Sequence, residues 1–401
     1  MLAPPSQTFR DEAPRLFAWR AALLFCAPML VNGIALLYFP VLLEDLKMTD
    51  VEIGVIVSIP FLVRMIGMPL GAMMADRVSD RSIVMMWSAI ISLVTTVMMF
   101  FTHTFWPVAL VYALQSLFYA PYVPIAEAIL VTGVRRWGFD YGFLRLWGSV
   151  AFVLATLLGG WLLDLFGGSM VLPSMAIFFM LTIVMAILAP RLGRPHPVVN
   201  ETHLSATPTQ NPFWKPDFLL VIIGAALVQG SHGMLFAFAT NYWTAHGISG
   251  FQISFLWTAG VVAEITLFFI SGRWLKHFSV WGLILTGSVI AVARWCLFPL
   301  VDGFWPFLAL QCTHAFTFAI IHLGIQRFMM SRVAEGQGAS SQGFYQTFVA
   351  LFNVATAWAS GYIFQVWGVD GFYSMAVVAV AGVVTVLVAM KLQPQSARSG
   401  G

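Results

Sequence analysis

Charged residues are scarce in this sequence. Lys, Arg, Asp and Glu make up 9% of its 401 residues, whereas an ordinary soluble domain has about 25%. A water-soluble protein of this length needs more charge to cover its surface, so the composition excludes a soluble globular protein and a disordered chain. The three cysteines exclude a disulfide scaffold, since all of them lie in apolar stretches where a thiol acts as a small hydrophobic group.

Long hydrophobic runs fill most of the chain, and 60% of its residues are hydrophobic. Because a helix that crosses a bilayer needs about 20 apolar residues, the runs predict an all-α membrane protein. We predict twelve transmembrane helices, at residues 16–42, 52–74, 83–101, 107–131, 141–164, 170–190, 217–243, 251–272, 279–299, 305–328, 341–365 and 371–391.

A polar, proline-rich segment over residues 191–216 divides these helices into two groups of six. We predict an N-terminal six-helix bundle (1–190), this segment as a cytoplasmic linker, and a C-terminal six-helix bundle (217–401). An offset of 201 residues also relates glycines of the two halves: Gly71 to Gly272, Gly142 to Gly343, Gly160 to Gly361 and Gly167 to Gly368. The bundles are therefore predicted to be pseudo-symmetric, with a binding site between them near the bilayer midplane.

Positive charges are distributed unevenly among the loops. If both termini are cytoplasmic, 16 of the 20 Lys and Arg residues fall in cytoplasmic segments and only Lys47 falls outside. This bias follows the positive-inside rule, so we predict cytoplasmic termini. The net charge of +3 then reflects topology and does not indicate a nucleic-acid partner. The apolar run after Arg20 is too long for the core of a cleavable signal peptide.

Five charged residues are the candidates for a position away from the ends of the predicted spans: Arg64, Glu127, Arg145, Glu264 and Arg294. Each costs about 2.5–3.5 kcal/mol at mid-span, so each is by default a functional candidate. The helical rise places Glu127 and Arg145 about 12–14 Å from one cytoplasmic turn, at matching depth, where they can pair. A structural ion pair is the alternative, but we favour a pair that opens to bind substrate.

Glu264 is the candidate proton carrier, because a carboxylate in a low-dielectric cavity can exchange a proton near neutral pH. The alternative is a permanent ion pair with Arg64 or Arg294. His314 is a candidate proton relay, and a hydrogen-bonded core histidine is the alternative. His232 and His322 are given less weight. The eight-residue spacing of His314 and His322 does not suit a metal ion, so neither a metal nor another cofactor is expected.

Three buried arginines against two carboxylates leave the predicted interior positive, which suits an anionic substrate such as a carboxylate. Aromatic residues accompany these charges, among them Tyr119, Tyr122 and Trp147. A substrate ring would stack on them, although most rings in a chain this rich in Trp and Phe face lipid.

The turn after the second predicted helix is rich in charge. Asp76 and Arg77 are followed by Arg81, which predicts a cytoplasmic ion-pair gate. Topogenic charge alone is the alternative, and it does not explain the aspartates in the turn.

The string GAMMADRVSDRS in this turn resembles the helix 2–3 signature of the major facilitator superfamily. Asp76, Arg77 and Arg81 match that signature, whereas Ala72, Ser79 and Asp80 depart from it. The strings VPIAEAIL, YGFLRLWGSVAF, GVVAEITLFFISGRW and QCTHAFTFAIIH resemble the phenylpropionate-permease family, which is related to lactose permease and to nucleoside–proton symporters. The resemblance implies the major facilitator fold and a proton-coupled importer of 3-phenylpropionate or a similar aromatic acid.

By the resemblance to lactose permease, Glu127 and Arg145 take substrate roles, and Glu264, Arg294 and His314 surround the proton. Thr317 stands where that family has its proton-releasing carboxylate. The resemblance therefore implies that Glu264 or Glu127 carries the proton in this chain.

We therefore predict a secondary active transporter, not an enzyme, in the bacterial inner membrane. It would take up a small aromatic carboxylate by alternating access, with the proton gradient as energy source, and act as a monomer. Its predicted substrate-binding residues are Arg64, Tyr119, Tyr122, Glu127, Arg145 and Trp147. The alternatives are a proton-coupled sugar or nucleoside symporter and a broad-specificity efflux carrier. An embedded enzyme and a passive channel are disfavoured, because no catalytic cluster occurs and repeated halves suit a rocking motion.

Overall fold

The computed structural model describes residues 13–78, 80–139, 141–191, 212–333 and 338–392. Within these ranges the chain forms α-helices, short 3-10 turns and one π-helical segment. The α-helices are α1 (Phe17–Asp45), α2 (Asp50–Arg77), α3 (Arg81–Met99), α4 (Phe105–Tyr119), α5 (Tyr122–Trp137), α6 (Tyr141–Phe166), α7 (Val171–Ile187), α8 (Pro216–Gly230), α9 (Gly233–Ala245), α10 (Gly250–Trp274), α11 (Val280–Leu297), α12 (Phe304–Cys312), α13 (Ile321–Arg332), α14 (Gly338–Trp367) and α15 (Phe372–Leu392). Residues 192–211, most of the predicted linker, lie outside the described ranges.

Ten stretches of the described chain are long and apolar enough to cross a membrane. Two of them, Leu144–Ile187 and Ser341–Leu392, are longer than a single crossing requires. Each contains two α-helices joined by a 3-10 turn that begins at a glycine, Gly167 or Gly368. The φ angles of these glycines are 59° and 54°, in the left-handed region where a helix commonly ends. With each long stretch taken as two crossings, the described chain has the twelve crossings predicted.

Three of these crossings are interrupted. Pro121 lies between α4 and α5, and Ser231 and His232 lie between α8 and α9. Between α12 and α13 the chain forms the π segment, Ala315–Ile320. Such interruptions expose backbone groups inside the membrane and are common at functional sites.

The two halves repeat local structure. Gly167, which follows α6, and Gly368, which follows α14, are related by the predicted offset of 201 residues. The helix starts after the first crossing of each half also correspond. At the start of α2, the Thr49 side chain accepts from the backbone N–H of Glu52, and the Glu52 side chain accepts from the backbone N–H of Thr49. Ser249 and Gln252 form the same two hydrogen bonds at the start of α10.

The halves meet at the end of the molecule where α1 and α9 finish and α2 and α10 begin, called here the far end. Asn241 of α9 donates to the carbonyl of Pro40 in α1, at 3.2 Å. Both Asp164 carboxylate oxygens accept backbone N–H groups of α10, from Gly250 at 2.5 Å and from Phe251 at 2.9 Å. These bonds join α1 to α9 and α6 to α10, so the far end is closed.

Glycine is required at this contact. A Cβ atom on Gly160 of α6 would lie 2.3 Å from the carbonyl oxygen of Gly250, and one on Gly361 of α14 would lie 2.5 Å from that of Asp50. Both distances are shorter than real Cβ contacts, and the opposing atoms are backbone and cannot move away easily. The close approach of α6 to α10, and of α14 to α2, therefore depends on these glycines.

We expect Gly160→Ala to shift the protein away from the closed far end, because overpacking costs about 1–3 kcal/mol. The measurement is thiol accessibility of a cysteine placed at Asn241, which should rise in Gly160→Ala. Gly343→Ala is the matched control, since a Cβ there meets nothing within 4 Å. Equal accessibility in the two variants would show that Gly160 does not limit closure.

Candidate functional site

The largest buried cation of the C-terminal half is Arg294, on α11, whose residue is 2% exposed. Its guanidinium donates to Gln311 Oε1, to Thr317 Oγ1 at 3.1 Å and to His314 Nδ1 at 3.3 Å. It also lies 4.9 Å from the ring centre of Trp295. In the described part of the chain no carboxylate lies within 4.0 Å of it, so the hydrogen-bond acceptors of this buried cation are neutral groups, and its Nε has no partner there.

Glu264 of α10 faces the same cluster. Its Oε2 lies 3.8 Å from Nε2 of His314. Because His314 Nδ1 accepts from Arg294, the proton of a neutral His314 ring is on Nε2 and points towards Glu264. The Glu264 side chain is 23% exposed and Arg294 is 2% exposed, so Glu264 is the more accessible of the two charges.

The structure thus brings together Glu264, Arg294 and His314, which the sequence singled out on three separate helices. The ion-pair neighbour of Glu264 is His314, and neither Arg64 nor Arg294 takes the position of a permanent partner. Their role in proton coupling stays a prediction.

Two neighbours of this cluster were missed or underrated from the sequence. Gln311 lies one turn before His314 and is 3% exposed, and an uncharged amide inside an apolar span was the available signal. His232, given little weight, is 1% exposed and lies 5.4 Å from His314 between ring centres. Its signal was the string Gly-Ser-His-Gly at 230–233, which favours a helix break.

A cavity of about 170 Å³ lies in the N-terminal half, between α1, α2, α4 and α6. Its polar lining comes from Asn32, Arg64 and Tyr112. Its apolar lining includes the rings of Phe39, Phe61 and Phe152 and several aliphatic side chains. Arg64 is half-buried, and the described residues give its guanidinium neither a hydrogen bond nor an ion pair. The cavity therefore combines one available cation with aromatic walls.

The ion pair predicted between Glu127 and Arg145 is not formed in this structure, and the role of the two residues in substrate binding stays a prediction. Glu127 is half-buried on α5. Arg145 is exposed on α6, and its guanidinium carbon lies 5.8 Å from the ring centre of Phe25. Matching depth along two helices was correct reasoning, but depth does not fix the direction in which each side chain points.

The three predicted aromatic residues, Tyr119, Tyr122 and Trp147, do not line the cavity. Tyr122 is fully buried and donates to the carbonyl of Thr182 in α7, at 3.5 Å, so it packs inside the N-terminal half in this conformation, and its contact with substrate stays a prediction. Trp147 lies beside Trp19 of α1, with 5.7 Å between ring centres. Tyr119 is 8% exposed and packs edge-on against Phe179, close enough to Arg64 to act on it electrostatically.

The predicted gate lies only partly within the described side chains. The side chain of Asp76 lies outside them, and Arg77 is exposed. Asp80 caps α3 by accepting from the backbone of Ser82, and it pairs with Arg191 at 3.3 Å. The role of Asp76, Arg77 and Arg81 in gating stays a prediction.

A chain of this kind, with twelve crossings, interrupted helices and charged groups within the crossings of both halves, belongs to the class of secondary transporters. The family model described as "MFS_1 like family" matches residues 29–375, so the chain belongs to this family of the major facilitator superfamily. It is a multi-pass membrane transporter and not an enzyme. Among the described residues no group of three or more His, Cys, Asp or Glu is arranged to hold a metal ion.

The names of two curated relatives refer to different substrates. The chain is 28% identical to the "Probable 3-phenylpropionic acid transporter" of Escherichia coli (strain K12), over 90% of this chain and 93% of that protein. It is 24% identical to the "Maltose permease" of Geobacillus stearothermophilus, over 65% of this chain and 66% of that protein. Among solved structures, the nucleoside transporter NupG superposes with a TM-score of 0.79 at 16% identity, covering 94% and 98% of the two chains. The last likeness shows the fold alone.

Proposed function

We propose that this protein takes up a small aromatic carboxylate together with a proton. The observation that carries the proposal is the cavity around Arg64, which offers a positive charge with no partner among the described residues and walls of phenylalanine rings. The carboxylate would bind the guanidinium fork, assisted by Asn32 and Tyr112. The ring would pack against Phe39, Phe61 and Phe152.

The size of the cavity favours one aromatic ring. An engineered apolar cavity of about 150 Å³ holds a benzene molecule, and the Arg64 cavity has about 170 Å³. A disaccharide is too large for it unless the halves move apart. The name of the Escherichia coli relative is consistent with this substrate class.

Proton coupling rests on Glu264 and its contact with His314. The pair lies on helices of the C-terminal half, whereas the cavity lies in the N-terminal half. In our proposal substrate and proton bind to opposite halves, and rocking of the two bundles (1–190 and 217–401) moves both together. Glu127 and Arg145 would guide the substrate at the end opposite the far end.

The remaining parts of the proposal follow from the distribution of charge. With cytoplasmic termini, the closed far end would face outward, which corresponds to the inward-facing state of an alternating-access cycle in our proposal. The protein would act as a monomer in the bacterial inner membrane, and the gate at Asp76, Arg77 and Arg81 would close the cytoplasmic side in the opposite state.

Substrate-induced proton uptake tests the proposal. De-energised cells that express the protein receive 3-phenylpropionate, cinnamate, a nucleoside or a disaccharide, and the external pH is recorded. We expect the medium to become more alkaline with the two aromatic acids alone, because each enters with a proton. A response only to the nucleoside or the disaccharide would replace the proposed substrate, and no response to any of the four would contradict the proposed function.

A further inference from the structure

Two irregular helices meet beside Arg294. The region of the break between α8 and α9 contacts the π segment, which lies in the tenth crossing (α12 to α13), through two side-chain contacts. Gln229 Nε2 donates to the carbonyl of Phe318 at 3.3 Å, and His232 Nε2 lies 3.1 Å from Thr317 Oγ1. In each contact one residue belongs to the last turn of α8 or to the break after it, and the other belongs to the π segment, so the two interruptions form one structural unit.

The direction of each hydrogen bond in this unit can be assigned. His232 Nδ1 lies 3.1 Å from the carbonyl of Gln229, and a carbonyl only accepts, so Nδ1 carries the proton of the neutral ring. Nε2 of His232 therefore accepts from the Thr317 hydroxyl. The same hydroxyl oxygen accepts from Arg294 Nη1 at 3.1 Å. Thr317 thus bridges Arg294 to His232, and His232 and Thr317 are 1% and 0% exposed.

The hydrogen bonds of Arg294 can change when the protonation of Glu264 and His314 changes. Gln311, Thr317 and His314 supply neutral acceptors, and the acid next to this set is Glu264, which lies on the other side of the His314 ring. If His314 takes a proton on Nδ1, that nitrogen becomes a donor and can no longer accept from Arg294. The guanidinium then depends on Thr317 and Gln311. Arg145 of α6 and His322 of the tenth crossing are the other charged or titratable groups that act on this space.

His232 also begins the helix that reaches the far end. It directly precedes α9, and Asn241 near the other end of α9 donates to Pro40 in the opposite half. A change in the bonds of His232 therefore acts on a short helix that holds one of the contacts between the halves.

We propose that Thr317 and His232 are positioning residues for proton coupling. When Glu264 and His314 change their protonation, the hydrogen bonds of Arg294 change. The bond between the Thr317 hydroxyl and the His232 imidazole then passes this change on to α9 and the far-end contact. This inference rests on the proposed proton-coupled function. It gives Thr317, which stands where a carboxylate would be expected, a role that needs its hydroxyl and not a charge.

The test compares Thr317→Val, which has the same shape without the hydroxyl, with Thr317→Ser, which keeps the hydroxyl. Thr356→Val is the matched control, because Thr356 also donates to the break, to the carbonyl of Gly230 at 2.6 Å, and has no bond to Arg294. His232→Phe removes the acceptor from the other side of the bridge. Uptake of 3-phenylpropionate driven by a proton gradient is measured from pH 5 to 8 and compared with equilibrium exchange, which needs no net proton movement. Each rate is divided by the amount of protein in the membrane.

In Thr317→Val and in His232→Phe we expect gradient-driven accumulation to fall about tenfold and its pH dependence to flatten, which corresponds to the loss of one buried hydrogen bond. Exchange should stay within about twofold of the unmodified protein. Thr317→Ser and Thr356→Val should keep the original pH profile.

An unchanged pH profile in Thr317→Val, or parallel losses of accumulation and exchange, would overturn the inference, because the second result is what a purely structural bridge predicts. Loss of coupling in Thr356→Val as well would do the same, since any damage to the break would then suffice. A failure of the proposed function is seen separately, as the absence of substrate-induced proton uptake by the unmodified protein, and the inference would then fall with it.

Discussion

Replacing Glu264 with glutamine is expected to abolish the concentration of substrate against a gradient while substrate exchange continues. Glutamine has nearly the shape of glutamate and can still lie opposite His314 Nε2, 3.8 Å away in the present structure. It cannot bind and release a proton near neutral pH, so binding geometry is preserved and proton transfer is lost. Accumulation should fall to the level reached by passive equilibration.

The matched control for this prediction is Glu44→Gln. Glu44 is an exposed carboxylate at the far end, and the same chemical change there leaves the Arg294 cluster untouched. Accumulation by Glu44→Gln should stay within about twofold of the unmodified protein. The readouts are the steady-state ratio of internal to external 3-phenylpropionate and the rate of exchange in the absence of a proton gradient.

If Glu264→Gln still concentrates substrate, another group carries the proton, and Glu127 is then the first candidate to replace. If Glu264→Gln loses exchange as well, Glu264 takes part in substrate binding. Neither result is compatible with a carboxylate whose role is limited to the proton.

The number and order of the crossings could be predicted from the sequence because each crossing is a long apolar run ended by charged or glycine-rich residues. Gly167 and Gly368 mark two of those ends, and both adopt the positive φ that makes glycine suitable there. The interruptions inside a crossing were not predicted. The π segment contains no proline or glycine, and its backbone bonding depends on contacts with α8, α10 and α11 that the sequence of one helix does not reveal.

The charged residues of the site could be found from the sequence because charge inside a membrane is rare. Their partners could not. Glu264 and His314 are 50 positions apart in the sequence and meet because α10 packs against the tenth crossing. Glu127 and Arg145, proposed as a pair from their depth, are not paired in this structure, since equal depth leaves the rotation of each helix undetermined. Neutral partners such as Gln311 carry a weaker signal, an uncharged amide inside an apolar span, which does not say what the amide binds.

Arg64 was given a supporting role from the sequence, and the cavity gives it the central one. Arg64→Gln is expected to raise the half-saturation concentration for 3-phenylpropionate by about tenfold to a hundredfold, because a hydrogen bond to a charged group is worth about 1.5–3 kcal/mol. Arg64→Lys keeps the charge but loses the planar fork that matches a carboxylate, so an intermediate increase is expected. The measurement is the initial rate of uptake as a function of substrate concentration.

A change in the ligand separates a direct contact from an indirect one. 3-Phenylpropionamide has the ring and chain of 3-phenylpropionate without its charge, and its inhibition of uptake can be measured in each variant. If the carboxylate binds Arg64, the amide binds more weakly than the acid in the unmodified protein, and this difference disappears in Arg64→Gln. Arg145→Gln should keep the difference, because Arg145 lies outside the cavity lining.

The opposite pattern, in which the acid–amide difference survives in Arg64→Gln and disappears in Arg145→Gln, would place the carboxylate on the exposed arginine of α6. The cavity would then be occupied by the ring alone. Since Arg145 is close enough to act on Glu264 electrostatically, a substrate anion bound there would compete directly with the proton carrier for the same cation. Binding at Arg64 separates the two anions into different halves, so substrate and proton can be held at the same time, as cotransport in one direction requires.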